Sequence, residues 1–590
     1  MGEGPLSDEP VTDTDHDGSL SWKDALSWKD SLSRKDALSW KDSLSWKDSL
    51  SWKDALSLGI VAFVLLLPVV GLMRYQGPPM EEGFMLVFPE RMLHGDLPHR
   101  DFLHLYGPGS LWVLAAVYKL FGATITVERL VGLAQHAAVA FGMLALLRPW
   151  GRRISTAGAV TAILILIGPL GLSAMAWNGA LAAAVCSLAV GAAGLRRAAA
   201  GRPSTALLAT SGVLAGVSLL YRPDLILAVG LGTVALYVTV PRGRRRPLVL
   251  GAVGALALYI PHVVTSGIPA SIQGMFLEPV FELRAGRSLP VPPSFGEVDG
   301  FLQRAGSLRV TGWPLPMLPV SVQIFTWFML VPLSIAVVLY AAWRLRRARP
   351  GTDRATSYWP AALFCAGLLQ QAIQRPDTAH LSWVTGISFP LLIAAVAWLV
   401  EAARPAWSPV RTSSAGIAVV AVLLVGVVPF YPVRTYADLV SQTFGFNRFG
   451  FPITHDGRTF YFGSAEGADD AQAIVDELAE RSRPGERLIV GPRDLSRANY
   501  SDAFFYNLFP DLTPGTQFIE MDPGIADAEG SPLASELKDN DWLILSDAWN
   551  DWSEPNTSSE SRSQAANRVV EDRYCTVRET PTFTLLQRCR

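Results

Sequence analysis

Only four cysteines occur in 590 residues, and no Cys-x-x-Cys pair or Cys/His zinc spacing is among them. Cys186 and Cys365 lie inside apolar runs and read as small buried hydrophobes. Cys575 and Cys589 flank "TVRETPTFTLLQR", a terminal hairpin that a disulfide would close if the tail lies outside the cytoplasm. Charge is equally scarce: Asp, Glu, Lys and Arg make up 17% of the chain, against roughly 25% in an average soluble domain. The net charge of −2 says nothing about nucleic acid, but no basic domain exists and the arginine clusters sit at span ends, so no nucleic-acid partner is expected. No GxGxxG follows a strand, which removes the dinucleotide fingerprint from "IVGPRDLSRANYSD". No cleavable leader is evident either. The first apolar run begins near Leu56, after a long polar segment, and reads as an uncleaved first span.

Long apolar runs are what the chain does have. They recur between Leu56 and Tyr431 at about the length that crosses 30 Å of hydrocarbon as helix. Candidate spans are 57–74, 127–147, 154–174, 178–195, 205–221, 224–240, 248–266, 322–343, 357–373, 383–401 and 413–431, about eleven. Arginine clusters at 148–153, 196–202, 242–246, 344–349 and 404–411 then fall on one side, the cytoplasm by the positive-inside rule. The other side receives residues 75–126, "AWNG", "YRPD", a loop over 267–321, "QRPDTAHL" and the C-terminal tail. The segment "GPGSLWVLAAVYKLFG" is too short to cross and carries Lys119, so residues 108–121 are expected as a helix lying in the interface.

Two regions differ from this membrane part. Residues 1–55 are a polar leader with a hexad repeat, "LSWKDALSWKDS", that gives no clean buried face at helical or strand period. Residues 432–590 contain "DDAQAIVDELAERSRPGERLIVGP", an amphipathic helix, turn and strand, and "DWLILSDAW", another strand, so a soluble α/β domain is expected. Trp542, Trp549, Trp552 and Tyr500 are its candidate stacking surfaces for a glycan, with a purely structural cap as the alternative. The fold class is therefore a polytopic α-helical membrane protein, 56–431, followed by an α/β domain.

The polar residues of 75–126 are the chemical signal. Glu81 and Glu82 follow Pro78-Pro79 at the end of the first span, where carboxylates near lipid are costly unless compensated. A carboxylate there can serve as general base on a hydroxyl, its pKa raised by burial and by its neighbour. A solvated charge pair is the plain alternative. "YRPD" places Arg222 beside Asp224, and "QRPDTAHL" places Arg375, Asp377 and His380 together. Arginine matches phosphate bidentately, and an adjacent Asp can hold it in place. Each Arg-Pro-Asp also reads as a helix break, with Pro starting and Asp capping the next helix. Arg100 and His104 add donors in the first loop, Tyr106 a supporting ring. A divalent metal held by the loop histidines with Glu81 or Glu82 stays open, without a fixed metal spacing.

The order "EEG", "PERMLHGDLPHRDF", "YGPGSLW", "KLFG", "VERLVGL" resembles the first outer loop of GT-C glycosyltransferases, as in protein O-mannosyltransferases and aminoarabinose transferases. It covers about seventy residues, and Glu81 stands where Asp is usual. An odd number of spans puts the N-terminus inside and the C-terminal domain outside, and the resemblance implies a polytopic enzyme of the cytoplasmic membrane whose chemistry faces outward. It implies a donor sugar on a polyprenyl phosphate and an acceptor that is a cell-envelope glycan, lipid or protein. Glu81, Glu82 or Asp101 would act as base, and Arg222, Arg375, His380, Arg100 and His104 would bind the phosphate. A lipid-linked sugar flippase and a polysaccharide polymerase or ligase are the alternatives. The richness in Ala, Gly, Arg, Leu and Val is associated with high-GC bacteria.

Overall fold

The computed structural model describes residues 51–293, 320–427, 431–550 and 553–589. The hexad repeat up to residue 50, part of the loop 267–321 and Trp552 lie outside them. From Lys53 onward the chain forms one compact unit.

The first apolar run forms α1 (Trp52–Leu66) and, after a break at Pro68, α2 (Val69–Leu72). Then come α3 (Glu81–Leu93), α4 (Gly109–Phe121), α5 (Ile125–Leu146), α6 (Arg152–Leu170), α7 (Ala176–Ala199), α8 (Thr205–Tyr221), α9 (Ile226–Thr239), α10 (Arg246–Leu256) and α11 (Tyr259–Ser266). After the loop follow α12 (Val320–Ala348), α13 (Asp353–Gly367), α14 (Leu369–Gln374), α15 (Thr378–Ala403), α16 (Pro409–Val422) and α17 (Tyr431–Thr443). Side-chain caps fix the starts of two of these helices: the Thr124 hydroxyl accepts the Val127 N–H before α5, and the Asp377 carboxylate accepts the His380 N–H at 2.8 Å before α15.

Among the described residues, each of the eleven expected spans falls largely on helix. Among the described residues six are long and apolar enough to cross a membrane: Trp52–Leu72, Ile125–Leu146, Ala176–Ala199, Arg242–Ser266, Ile324–Ala348 and Thr378–Ala403. Thr205–Tyr221, Pro223–Thr239 and Pro409–Val425 are apolar but shorter. The stretches 152–170 and 353–374 begin with charged and hydroxyl residues, which dilutes their apolar length. At 13 residues, α4 reaches only about 20 Å as helix and is too short to cross.

Two helices form the centre. In both α7 and α15, 83% of the apolar window is buried within the protein, against 22% for Arg242–Ser266 at the periphery. Trp177 and Trp383, near their N-termini, stack with centroids 4.6 Å apart. At the other end of the same helices the arginine clusters meet. Arg354 donates to Pro149 O at 3.2 Å and pairs with Glu401, as Arg349 does, and Arg244 donates to Ala198 O and Arg202 O. The segregation of arginines to one end and the Arg-Pro-Asp corners to the other is thus a property of the packed bundle.

Beyond α17 the chain builds a hairpin, β1 (Phe451–His455) and β2 (Arg458–Phe462), then α18 (Ala465–Arg481) and a five-stranded sheet. Its strands are β3 (Arg487–Pro492), β4 (Thr513–Pro514), β5 (Trp542–Ser546), β6 (Tyr574–Glu579) and β7 (Phe583–Arg588), in the order β4-β3-β5-β7-β6. β3 runs parallel to β4 and β5, and β7 antiparallel to β5 and β6. A Cys575–Cys589 disulfide, with Cα atoms 5.3 Å apart, closes the last hairpin.

Candidate functional site

At the end of the bundle opposite the arginine clusters lies a cavity of about 430 Å³. Its wall gathers residues far apart in sequence: Glu81 and Tyr106 from the first loop, Trp177, Arg222, Arg287, Arg375, His380 and Trp383 from helix ends and the loop, and Tyr500 and Glu554 from the C-terminal domain.

Glu81 opens α3. The N–H of Met80 just before it donates to the Tyr500 hydroxyl at 2.6 Å, so the C-terminal domain holds the start of this helix. Glu81 Oε2 is buried and has no hydrogen-bond partner among the described residues. Burial lifts its carboxyl to about 7, against the opposing pull of a backbone hydrogen bond and of Arg287 and Arg375.

Glu82, one residue on, points elsewhere, because consecutive helical side chains are about 100° apart. It accepts from Arg129 Nε and Nη2, both at 2.7 Å, and both side chains are almost fully buried. Arg129 also donates to Leu72 O at 2.9 Å. The pair therefore ties the first loop to the ends of α2 and α5. This corrects the reading of Glu82 as a catalytic candidate: its lone pairs are occupied by a guanidinium, and it does not line the cavity.

Asp101 does not reach the cavity either. It accepts the Leu97 N–H at 2.8 Å, closing a turn, and pairs with Arg100 at the surface, where the Arg100 side chain is 48% exposed. Arg100 is thus removed from the candidate phosphate ligands, and Asp101 from the candidate bases. His104 is fully buried, edge-on to Phe88 and Tyr106, and neither ring nitrogen has a close hydrogen-bond partner among the described residues. Burial, and then the adjacent His99, hold it well below the usual imidazole range, so it carries no charge to offer a phosphate. His99 bonds Tyr106 O at 3.0 Å and His262 at 2.9 Å, and burial lowers it to about 3. Among the described residues no three His, Cys, Asp or Glu side chains converge as a metal site, and the loop histidines do not form a ligand set with Glu81 or Glu82.

The two Arg-Pro-Asp corners share one construction. Arg222 (φ −139°, ψ 90°) and Arg375 (φ −146°, ψ 89°) are both extended, as a residue before proline prefers, and each Asp folds back on its own Arg. Asp224 receives Arg222 Nε and Nη2 at 2.8 and 2.6 Å, and Gln371 at 3.0 Å. The Arg222 guanidinium lies 4.1 Å from the Tyr106 ring and 5.2 Å from that of Trp177. Asp377 receives Arg375 Nε at 2.6 Å and the His380 ring at 2.8 Å. Although burial works to raise it, His380 and Arg375 outweigh that and hold Asp377 at about 2. Both readings of the motif apply at once: Asp377 caps α15 and also fixes Arg375.

Three partners of this cluster carry no sequence signature. Arg287 comes from the long loop, pairs with Asp522 and Glu520, and keeps a buried Nε without a partner among the described residues. Its neighbour Arg375 donates to Arg287 O at 2.5 Å. Glu554 receives the fork of Arg375, with Nη1 at 3.0 Å. Tyr500 arrives from the sheet domain. Only the closing of distant loops brings them together, and "AGR" or "SEP" in isolation would not betray it. The proposed glycan-stacking surface is corrected: Trp542 is fully buried with its N–H on Glu486, and Trp549 is 3% exposed with its N–H on Asp502.

No protein family and no curated protein sequence matches the chain. Solved structures with similar shape do exist. ArnT from Cupriavidus metallidurans, bound to undecaprenyl phosphate, has 16% identity and a TM-score of 0.44, over 91% of this chain and 98% of that one. The oligosaccharyltransferase of Archaeoglobus fulgidus, tethered with an acceptor peptide, has 12% identity and a TM-score of 0.48, over 89% and 73%. AglB from the same organism, in complex with an inhibitory peptide and a dolichol-phosphate, has 12% identity and a TM-score of 0.46, over 90% and 74%.

Proposed function

We propose that the chain is a membrane glycosyltransferase that moves a sugar from a polyprenyl-phosphate donor to a hydroxyl of a cell-envelope glycan, lipid or protein. One observation carries this reading: a carboxylate with an unpartnered buried oxygen, Glu81, shares one cavity with three guanidinium groups, Arg222, Arg287 and Arg375. A volume of about 430 Å³ suits a sugar phosphate. The N-terminal ends of the two central helices, at Trp177 and Thr378, lie at the same cavity, where the helix dipole favours an anion.

The chemistry follows from these places. Glu81 takes the proton of the acceptor hydroxyl, whose oxygen bonds to the anomeric carbon. The bond from that carbon to the phosphate oxygen breaks on the opposite face, with inversion, and polyprenyl phosphate leaves. Arg222, Arg287 and Arg375 stabilise the charge it gains. His380, fixed by Asp377, donates to a phosphate oxygen. The cavity opens on the outer face, as the arginine clusters at the far end favour the cytoplasm.

Single replacement of Arg222, Arg287 and Arg375 by Gln tests the reading in vesicles supplied with a polyprenyl-phosphate sugar. Each is expected to lower kcat/KM for donor by about a hundredfold, the range for one lost transition-state donor. Three variants with unchanged transfer would remove the phosphate site. A wild type that carries lipid-linked sugar across the bilayer without making a glycosidic bond would establish the flippase instead.

A further inference from the structure

Among the described residues of 432–590, the exposed large apolar side chains are Phe444 and Phe446. The segment Thr443–Arg448, "TFGFNR", follows α17 and presents Phe444 at 60% and Phe446 at 80% exposure, on either side of Gly445. Gly445 has φ +77°, a left-handed turn that costs glycine little and sends both rings outward. Two exposed phenylalanines on a fixed loop are costly in water and call for a cover.

The place of the loop decides what that cover is. Thr443 Oγ1 accepts the Gly71 N–H at 2.9 Å, and Gln442 Nε2 donates to Gly71 O at 2.5 Å. Tyr436 donates to Val64 O at 2.7 Å. The loop is therefore bolted to the last turn of the first membrane helix. That helix carries Phe63, Leu66 and Val70, all exposed and spaced three and four residues apart, one stripe on one face. The stripe runs up to Gly71, where Phe444 begins. Arg129 bonds Leu72 O, which sets the early turns of α5 at the same height, and just before α5 the end of α4 exposes Leu120 and Phe121 at 75% and 71%. Arg74 and Arg448 are both exposed, Arg74 three residues past Gly71 and Arg448 two residues past Phe446. Aromatic side chains flanked by cations, level with a helix end, are the pattern of the membrane interface.

We propose that Phe444 and Phe446 insert into the lipid at the acyl-chain boundary and seat the C-terminal domain on the bilayer. The occupant is the bilayer lipid, because the loop is hydrogen-bonded through Thr443 and Gln442 to the end of the first span, whose exposed stripe reaches Val70. Arg74 and Arg448 then face the headgroup phosphates. This inference is independent of the transfer reaction.

The full chain carrying Cys186→Ser and Cys365→Ala, with Phe446→Cys or, as a second probe, Phe444→Cys, is labelled with an environment-sensitive fluorophore. It is placed in nanodiscs of lipids brominated at the top of the acyl chains. Both labels are expected to emit to the blue and to lose most of their emission relative to unbrominated discs, as a label at Phe63→Cys does. A label at Glu480→Cys, on the exposed face of α18, stays water-like and unquenched. Water-like, unquenched emission from both loop positions would overturn the proposal. So would a blue-shifted signal that bromine leaves untouched and that grows with the number of protein copies per disc, which would assign the rings to a second copy of the chain.

Discussion

Glu81 and Glu82 are neighbours in sequence with opposite fates, and the difference is measurable. Burial raises Glu81 to about 7, so transfer is expected to climb about tenfold between pH 6 and 8 as the base loses its proton. The sign for stability runs the other way. Between the ordinary value of 4.5 and about 7 the folded chain keeps a proton that the unfolded chain has released, so stability contributed by this group falls as pH rises through that window. Glu81→Gln is expected to flatten this part of a thermal-melt pH series, and a series unchanged from wild type would contradict it. Glu82 instead neutralises a buried guanidinium. Glu82→Ala leaves Arg129 unpaired in the interior and is expected to cost about 3–5 kcal/mol in a denaturation measurement. Asp101→Asn, at the exposed pair with Arg100, is expected to cost less than about 1 kcal/mol.

At the level of elements, close helix contacts depend on missing side chains. A Cβ on Gly132 of α5 would meet Leu172 O at 1.7 Å, so backbone must move. The same turn is held by Glu128, which accepts the Ala174 N–H at 2.5 Å. Gly132→Val is expected to lower the melting temperature by several degrees, a shift that Gly230→Ala, with open space around its Cβ, does not produce. Helix positions were legible from apolar period and length, and so was the short helix α4, which the Gly107–Gly122 segment outlines. Strands β3 and β5 and the terminal hairpin were legible from apolar runs and paired cysteines. The hairpin β1–β2 was not, since "FPITHDGRTFYF" has no clean alternation and a proline at its second position. Of the site, Glu81, Tyr106, Arg222, Asp224, Arg375, Asp377 and His380 were legible because each sits at a helix end, where local sequence fixes position. Arg287, Glu554 and Tyr500 were not, since their roles arise only when loops hundreds of residues apart close on one another. The assignments of Glu82, Asp101, Arg100 and His104 failed for a related reason. Sequence shows that a polar group is near the site, but not which way its side chain points.

In the whole molecule the arginine clusters lie at one end of the bundle and the cavity at the other. Reporter fusions after residues 150 and 245 are expected to score as cytoplasmic, and one after residue 440 as external. The C-terminal domain then does more than cap the bundle, because Tyr500 fixes the helix bearing Glu81 and Glu554 holds Arg375 from that side. Purified full-length chain in vesicles, given a polyprenyl-phosphate sugar and membrane acceptors, tests the central claim most directly when wild type and Glu81→Gln are compared. The expected result is a new glycosidic bond of inverted configuration from the wild type and at least a hundredfold slower formation from the variant. Equal bond formation by the two proteins would contradict it.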